Sequence, residues 1–160
     1  DTLPSLYQRA GLGARIGADF FISVHHNSNN NKKISGTSVY YSSEDIGTYP
    51  DAGYIAGLYE DSFEEGDVIT DIPLLTGRVM AAMLLDALTA KLETVNRGII
   101  DRNFVVVGKN NSIPAVLIEI GFMSNPDELA RIIKPRFQKK AAKAIYDTVL
   151  EMYELYEPEY

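Results

Sequence analysis

With 160 residues, 46% of them apolar and 23% charged, the chain is long enough for one sizeable core and too short for two ordinary domains. A formal net charge of −7 without a basic block excludes a nucleic-acid surface on electrostatic grounds, and no apolar run is long enough to span a bilayer. No cysteine is present, which excludes disulfides and thiolate metal sites and leaves the compartment open; nothing at the start reads as a signal peptide.

After a loop-like start at residues 1–4, residues 5–17 (SLYQRAGLGARIG) predict one short helix. Ser5 is its N-cap, and Leu6, Ala10, Leu12 and Ile16 form its apolar side. Residues 19–27 (DFFISVHHN) form an apolar run ending in the only two histidines, followed by a turn-rich loop, NSNNNKK. Residues 36–42 (GTSVYYS) predict a short strand from the β-propensity of Val39, Tyr40 and Tyr41. Residues 43–74 carry several glycines and tyrosines and an acidic cluster from Glu60 to Asp71. A solvated surface insertion explains them more simply than a wall of a substrate groove, and a weak helix is expected over 51–63.

Beyond Pro73 the pattern turns helical, with Leu75, Val79, Met80, Met83, Leu84, Ala87, Leu88 and Leu92 on one face, and Asn96-Arg97-Gly98 ends it. Residues 104–107 (FVVV) predict a strand, and GKNNS a tight connection. Residues 115–122 (AVLIEIGF) predict a further strand. Asn125 or Ser124 then caps a helix that starts at Pro126, with Asp127 and Glu128 near its positive end. A long helix follows Pro135, burying Phe137, Ala141, Ala144, Ile145, Val149, Met152 and Tyr153, and the acidic end from Glu154 is expected to fray. Strands alternating with helices and no internal repeat predict an α/β fold: a mostly parallel twisted sheet with helices on both faces.

Glu119 interrupts the most apolar strand of the chain. A carboxylate there is costly to bury unless paired, hydrogen-bonded or beside a metal, and the same desolvation raises its pKa toward the range useful for proton transfer. The alternatives are a frayed strand end facing solvent, or a pair with Arg97. The histidine-ended strand weighs toward function. Two parallel strands would bring His25 and Glu119 to carboxyl ends on one sheet edge, where an imidazole and a carboxylate suit a metal-activated water and its proton acceptor.

Two blocks, S-V-H-x-N after one apolar strand and E-I-G-F-x-S-N after another, occur in this order together with GTSVYYS, NRGIIDRNFVVV and FQKKAAKAIYDTVLEMY. In these the chain resembles the zinc-dependent N-acetylmuramoyl-L-alanine amidases, cell-wall hydrolases of bacteria, their phages and spores; only residues 43–74 fall outside the likeness. The resemblance implies that His25 is a zinc ligand and Glu119 the catalytic acid/base. The reaction implied is hydrolysis of the amide between N-acetylmuramic acid and the L-alanine of the stem peptide, by a water whose pKa zinc lowers from about 15.7 to about 7. It further implies one zinc ion as cofactor, peptidoglycan as partner, and an extracellular, cell-wall or periplasmic location.

The family binds zinc through His, Glu and a second His, the first His in a D-P-G-H-G-type motif after the opening strand. Neither that motif nor the helical Glu is present, so two of the three ligands are missing. His26 is no substitute, since adjacent strand residues point to opposite faces. The chain is therefore expected to be one catalytic domain over 1–160, about the last two-thirds of the family's, without its first strand and helix, and inactivity of the chain as given is compatible with that expectation. His26 and Asn27 are expected beside the site or fixing a loop, Arg97 holding Glu119 or a substrate carboxylate or ending a helix, and Asn125 capping a helix or meeting substrate. The competing function is a non-catalytic relative that binds muropeptides or a partner protein.

Overall fold

The computed structural model describes residues 4–43, 75–109 and 113–156. Chain order is α1 (Leu6–Ala10), α2 (Leu12–Ile16), β1 (Phe21–Asn27), β2 (Thr37–Tyr41), α3 (Gly77–Leu92), β3 (Asn96–Asp101), α4 (Val105–Gly108), β4 (Ala115–Phe122), α5 (Pro126–Ile132) and α6 (Pro135–Tyr156). The acidic cluster from Glu60 to Asp71 and the helix expected over 51–63 lie outside the described residues.

The four strands are ordered β1-β4-β2-β3. β1 pairs with β4 and β2 with β3 in parallel, and the central β2–β4 pair is antiparallel. This is the mostly parallel α/β sheet expected. β4, hydrogen-bonded on both sides, alternates its side chains between two cores. Val116, Ile118 and Ile120 pack with Met80, Leu84 and Leu88 of α3 and Ala141, Ala144 and Met152 of α6. On the other face Ala115 and Leu117 pack with Val106 and Val107 of α4, flanked by Phe21, Tyr40 and Phe104. Burial of that order, at about 25 cal/mol per Å² of apolar surface, is what holds the sheet between its helix layers.

Four expectations need correction. The helix over 5–17 is two short ones broken at Gly11. Ser5 does cap the first, in a reciprocal capping box with Gln8, but Leu6 and Ile16 are 50% and 68% exposed. The residues FVVV form no strand. Gly108 N–H donates to the Phe104 carbonyl, winding one helical turn that buries Val106 and Val107 against β4, so tertiary packing overrides β-propensity. The strand in this region is instead Asn96–Asp101, so Asn96-Arg97-Gly98, expected to stop the helix, opens a strand; α3 ends at Leu92, with Glu93 in the left-handed conformation. Finally, Glu154 does not begin a frayed end, since α6 continues to Tyr156.

Candidate active site

Along the second face of β4 the order is Ala115, Leu117, Glu119, Gly121, so the apolar positions give out at Glu119. The Cα register sets His25 of β1 opposite Glu119 on one side and Ser38 of β2 opposite it on the other. Residues in register on neighbouring strands share a face about 5 Å apart, so the sequence juxtaposition of His25 and Glu119 is what the sheet builds. Immediately afterwards the register slips. From His25 to Asn27 β1 advances two residues while β4 advances three, from Glu119 to Phe122, a bulge of the kind that re-aims side chains beside active sites.

Glu119 is partly buried, and its Oε2 is a buried atom without a hydrogen-bond partner among the described residues. Desolvation pushes its carboxyl up to about 7, so near neutrality it exists in both protonation states. His25 is exposed, and its Nε2 lies 2.9 Å from the Ser23 hydroxyl, two residues earlier on the same face, which fixes the ring and leaves Nδ1 for another partner. His26 points to the alternate face; partial burial of its ring, then the neighbouring His25, lower its pKa, with Glu128 opposing.

The remaining expected residues divide. Asn27 fixes the loop, accepting from Ser28 N–H at 2.8 Å through its side chain and from Met123 N–H at 2.8 Å through its carbonyl. Asn125 is a buried helix cap, accepting from Asp127 N–H at 2.9 Å and Glu128 N–H at 3.1 Å and donating to the Ile34 carbonyl at 3.3 Å. Arg97 does not hold Glu119: it lies on β3, donates to the Ser35 carbonyl at 3.3 Å, and stacks over Phe122 at 5.4 Å.

Two residues that sequence reasoning did not single out for this purpose hold the end of β4. The buried Glu128 carboxylate accepts from Phe122 N–H at 2.7 Å and Gly36 N–H at 2.9 Å, joining the strand exit to the segment before β2. A side chain at Gly121 would meet that carboxylate at 3.2 Å, so the glycine is what admits it. Thr37, fully buried, donates to the Ile120 carbonyl at 2.8 Å. The available signal was Glu128 three residues after the cap, a capping-box spacing, but its carboxylate reaches the strand rather than its own cap.

As a metal centre the arrangement is incomplete. A catalytic zinc takes three protein ligands and a water, and among the described residues no three His, Cys, Asp or Glu side chains converge. His25 offers one imidazole, and by themselves these residues do not fit the ion.

Comparison with known proteins supplies a family. A model described as N-acetylmuramoyl-L-alanine amidase matches residues 1–151. The chain is 28% identical over 153 residues to the N-acetylmuramoyl-L-alanine amidase LytC of Bacillus subtilis, covering 96% of this chain and 25% of that protein. It is 29% identical over 170 residues to the amidase AmiA of Escherichia coli, covering 96% and 58%. It thus spans about a quarter and somewhat over half of these two relatives. Among solved structures, an N-acetylmuramoyl-L-alanine amidase from Clostridium difficile superposes with a TM-score of 0.71 at 26% identity, over 96% of this chain and 68% of the other.

Proposed function

Since the chain belongs to the N-acetylmuramoyl-L-alanine amidase family, we propose that it carries the acid/base half of a peptidoglycan amidase site, cleaving the amide between N-acetylmuramic acid and the L-alanine of the stem peptide. The observation that carries this reading is Glu119 itself, a partly buried carboxylate whose Oε2 has no partner among the described residues, set in register beside His25. A carboxyl poised near neutrality takes the proton of an attacking water and returns it to the departing amine, a role worth about 10²–10⁴ in rate. Ser23 orients the His25 ring beside it. His25 enters as one ligand of the single zinc ion that the family resemblance implies, in a ligand set that the described residues do not complete. Peptidoglycan as substrate places the protein in the cell wall or periplasm, and among the described residues no helix is long and apolar enough to cross a membrane.

The test is hydrolysis of purified sacculi. Glu119→Gln keeps the shape of the side chain and abolishes the reaction, whereas full activity in that variant removes Glu119 from the mechanism. The incomplete ligand set favours one competing reading, a non-catalytic muropeptide- or partner-binding relative. That reading predicts muropeptide binding without any release of stem peptide, with or without added zinc, and identical behaviour of Glu119→Gln.

A further inference from the structure

Although the chain as a whole is acidic, one side of the fold gathers cations. Six of the thirteen residues from 131 to 143 are Lys or Arg and none is Asp or Glu, which corrects the expectation of no basic block. On α6, Arg136, Lys139, Lys140 and Lys143 recur at i, i+3, i+4 and i+7 and so share a face about 10 Å long. Lys91, in the last turn of α3, comes alongside, and these five with Pro135 line an open groove of about 460 Å³. A smaller one of about 170 Å³ continues it past Arg131 and Lys134. The stripe lies on the α3/α6 side of the sheet, whereas Glu119 lies on the other face.

The ordinary reason for such residues, mutual neutralisation, is scarce among the described residues. Among the described residues the one ion pair is Lys143 with Asp147 at 2.6 Å. Arg131 is committed to the Leu92 carbonyl and to the Phe137 ring. Among the described residues Lys91, Arg136, Lys139 and Lys140 make no ion pair, and Glu93, which lines the smaller groove beside Arg136 and Lys140, is the one carboxylate along it. The first turn of α6 contains no acidic residue either, so Arg136 adds charge to the already positive end of that helix. A bound anion relieves both repulsions.

The composition of the stripe indicates which anion. Arg forks onto carboxylate and phosphate alike, whereas Lys meets an anion as a point charge, and three of the four groove cations outside an ion pair among the described residues are Lys, so the stripe suits a flexible polyanion held by charge rather than one anion held by fit. The four α6 cations, the paired Lys143 included, spread over about 10 Å, which suits several charges on one chain rather than a single small ion. The aromatic ring beside the groove, Phe137, is capped by Arg131, leaving no platform on which bases stack.

We propose that this groove docks a linear wall polymer carrying phosphodiesters at regular intervals, giving the protein a second contact with the wall on the side of the sheet away from Glu119. The choice of a wall polymer over a polynucleotide rests on the peptidoglycan reading; the cationic dock does not. Four contacts at about 0.7 released counterions each, the single-strand value, predict affinity falling roughly fifty-fold for a four-fold rise in salt.

The test is titration of the full chain, carrying Glu119→Gln so that turnover plays no part, with poly(glycerol phosphate) followed by fluorescence anisotropy. The expected result is saturable, salt-dependent binding, at least ten-fold weaker in Lys91→Glu/Lys139→Glu and restored in Lys91→Arg/Lys139→Arg, with equal melting temperatures showing that all three fold. Unchanged binding in the Glu pair overturns the proposal. So does equal or tighter binding to phosphate-free peptidoglycan fragments, to phosphatidylglycerol vesicles or to duplex DNA. Loss of the dock leaves sacculus hydrolysis by the parent protein untouched, so the two readings fail separately.

Discussion

Glu119→Gln should stabilise the metal-free chain in proportion to pH. The parent carboxyl rises from an ordinary 4.5 to about 7 on folding, so between those values the folded protein keeps a proton that the unfolded chain has released. Stability is therefore full below about 4.5 and falls as pH climbs through about 7. For a wholly buried group that span corresponds to about 3 kcal/mol; Glu119 is only partly buried, and solvent screening brings this to about 1–2 kcal/mol. A carboxamide of the same shape has no charge to desolvate and escapes the loss. At about 2–4 °C per kcal/mol for a domain of this size, the variant should gain roughly 2–8 °C over the parent at pH above 7 and almost nothing near pH 4.5. The assay is a pair of thermal melts across that range with a chelator present, read as the difference between the two proteins, in which other titrating groups cancel. Parallel melting profiles would show that Glu119 is solvated or paired, and the argument from its orphaned oxygen would fail.

Removing the clamp at the strand exit should be costly for a different reason. Glu128→Ala leaves the Phe122 and Gly36 N–H groups unpaired in a buried setting, so urea unfolding should show a loss of about 2–4 kcal/mol. Arg97→Ala should leave sacculus hydrolysis unchanged, since the guanidinium meets Ser35 and Phe122 rather than Glu119, and a large fall in rate would contradict that placement.

The parts of the fold legible in the sequence are those where period and propensity agree with burial. α3 and α6 repeat their apolar residues every three or four positions, and those faces meet each other and the sheet in one core. α5 is announced by Asn125 and Pro126, and the cap forms as the residues require. Legibility fails where a local signal competes with a distant partner. Three valines after Phe104 favour an extended chain, yet the space beneath Leu117 and Ala115 is filled by a helical turn. The stop at Gly98 misleads because a left-handed Glu93 had already ended α3, and the glycine, at φ 88°, belongs to a strand. The cationic face, by contrast, is legible in the helical spacing of Arg136, Lys139, Lys140 and Lys143, and only the approach of Lys91 needs three dimensions.

Within the candidate site the same division separates residue from role. His25 and Glu119 could be named because each breaks the pattern of its strand, but that they share a face follows only from the β1–β4 register. The breaks are concentrated in a few residues. A carboxylate replaces an apolar side chain at 119, the register slips within the next two positions, and a second buried carboxylate, from Glu128, takes the N–H of Phe122 just beyond. Each departure costs stability on its own, and a fold selected only to persist would place leucine at 119 and run the ladder straight. Glu128 and Thr37 brace the strand against that cost from the side opposite β1, holding the end of β4 rigid while leaving the Glu119 oxygen without a partner. A scaffold that spends two buried side chains on one strand exit and, among the described residues, none on the neighbouring Oε2 keeps that oxygen available for a proton that is not the protein's own.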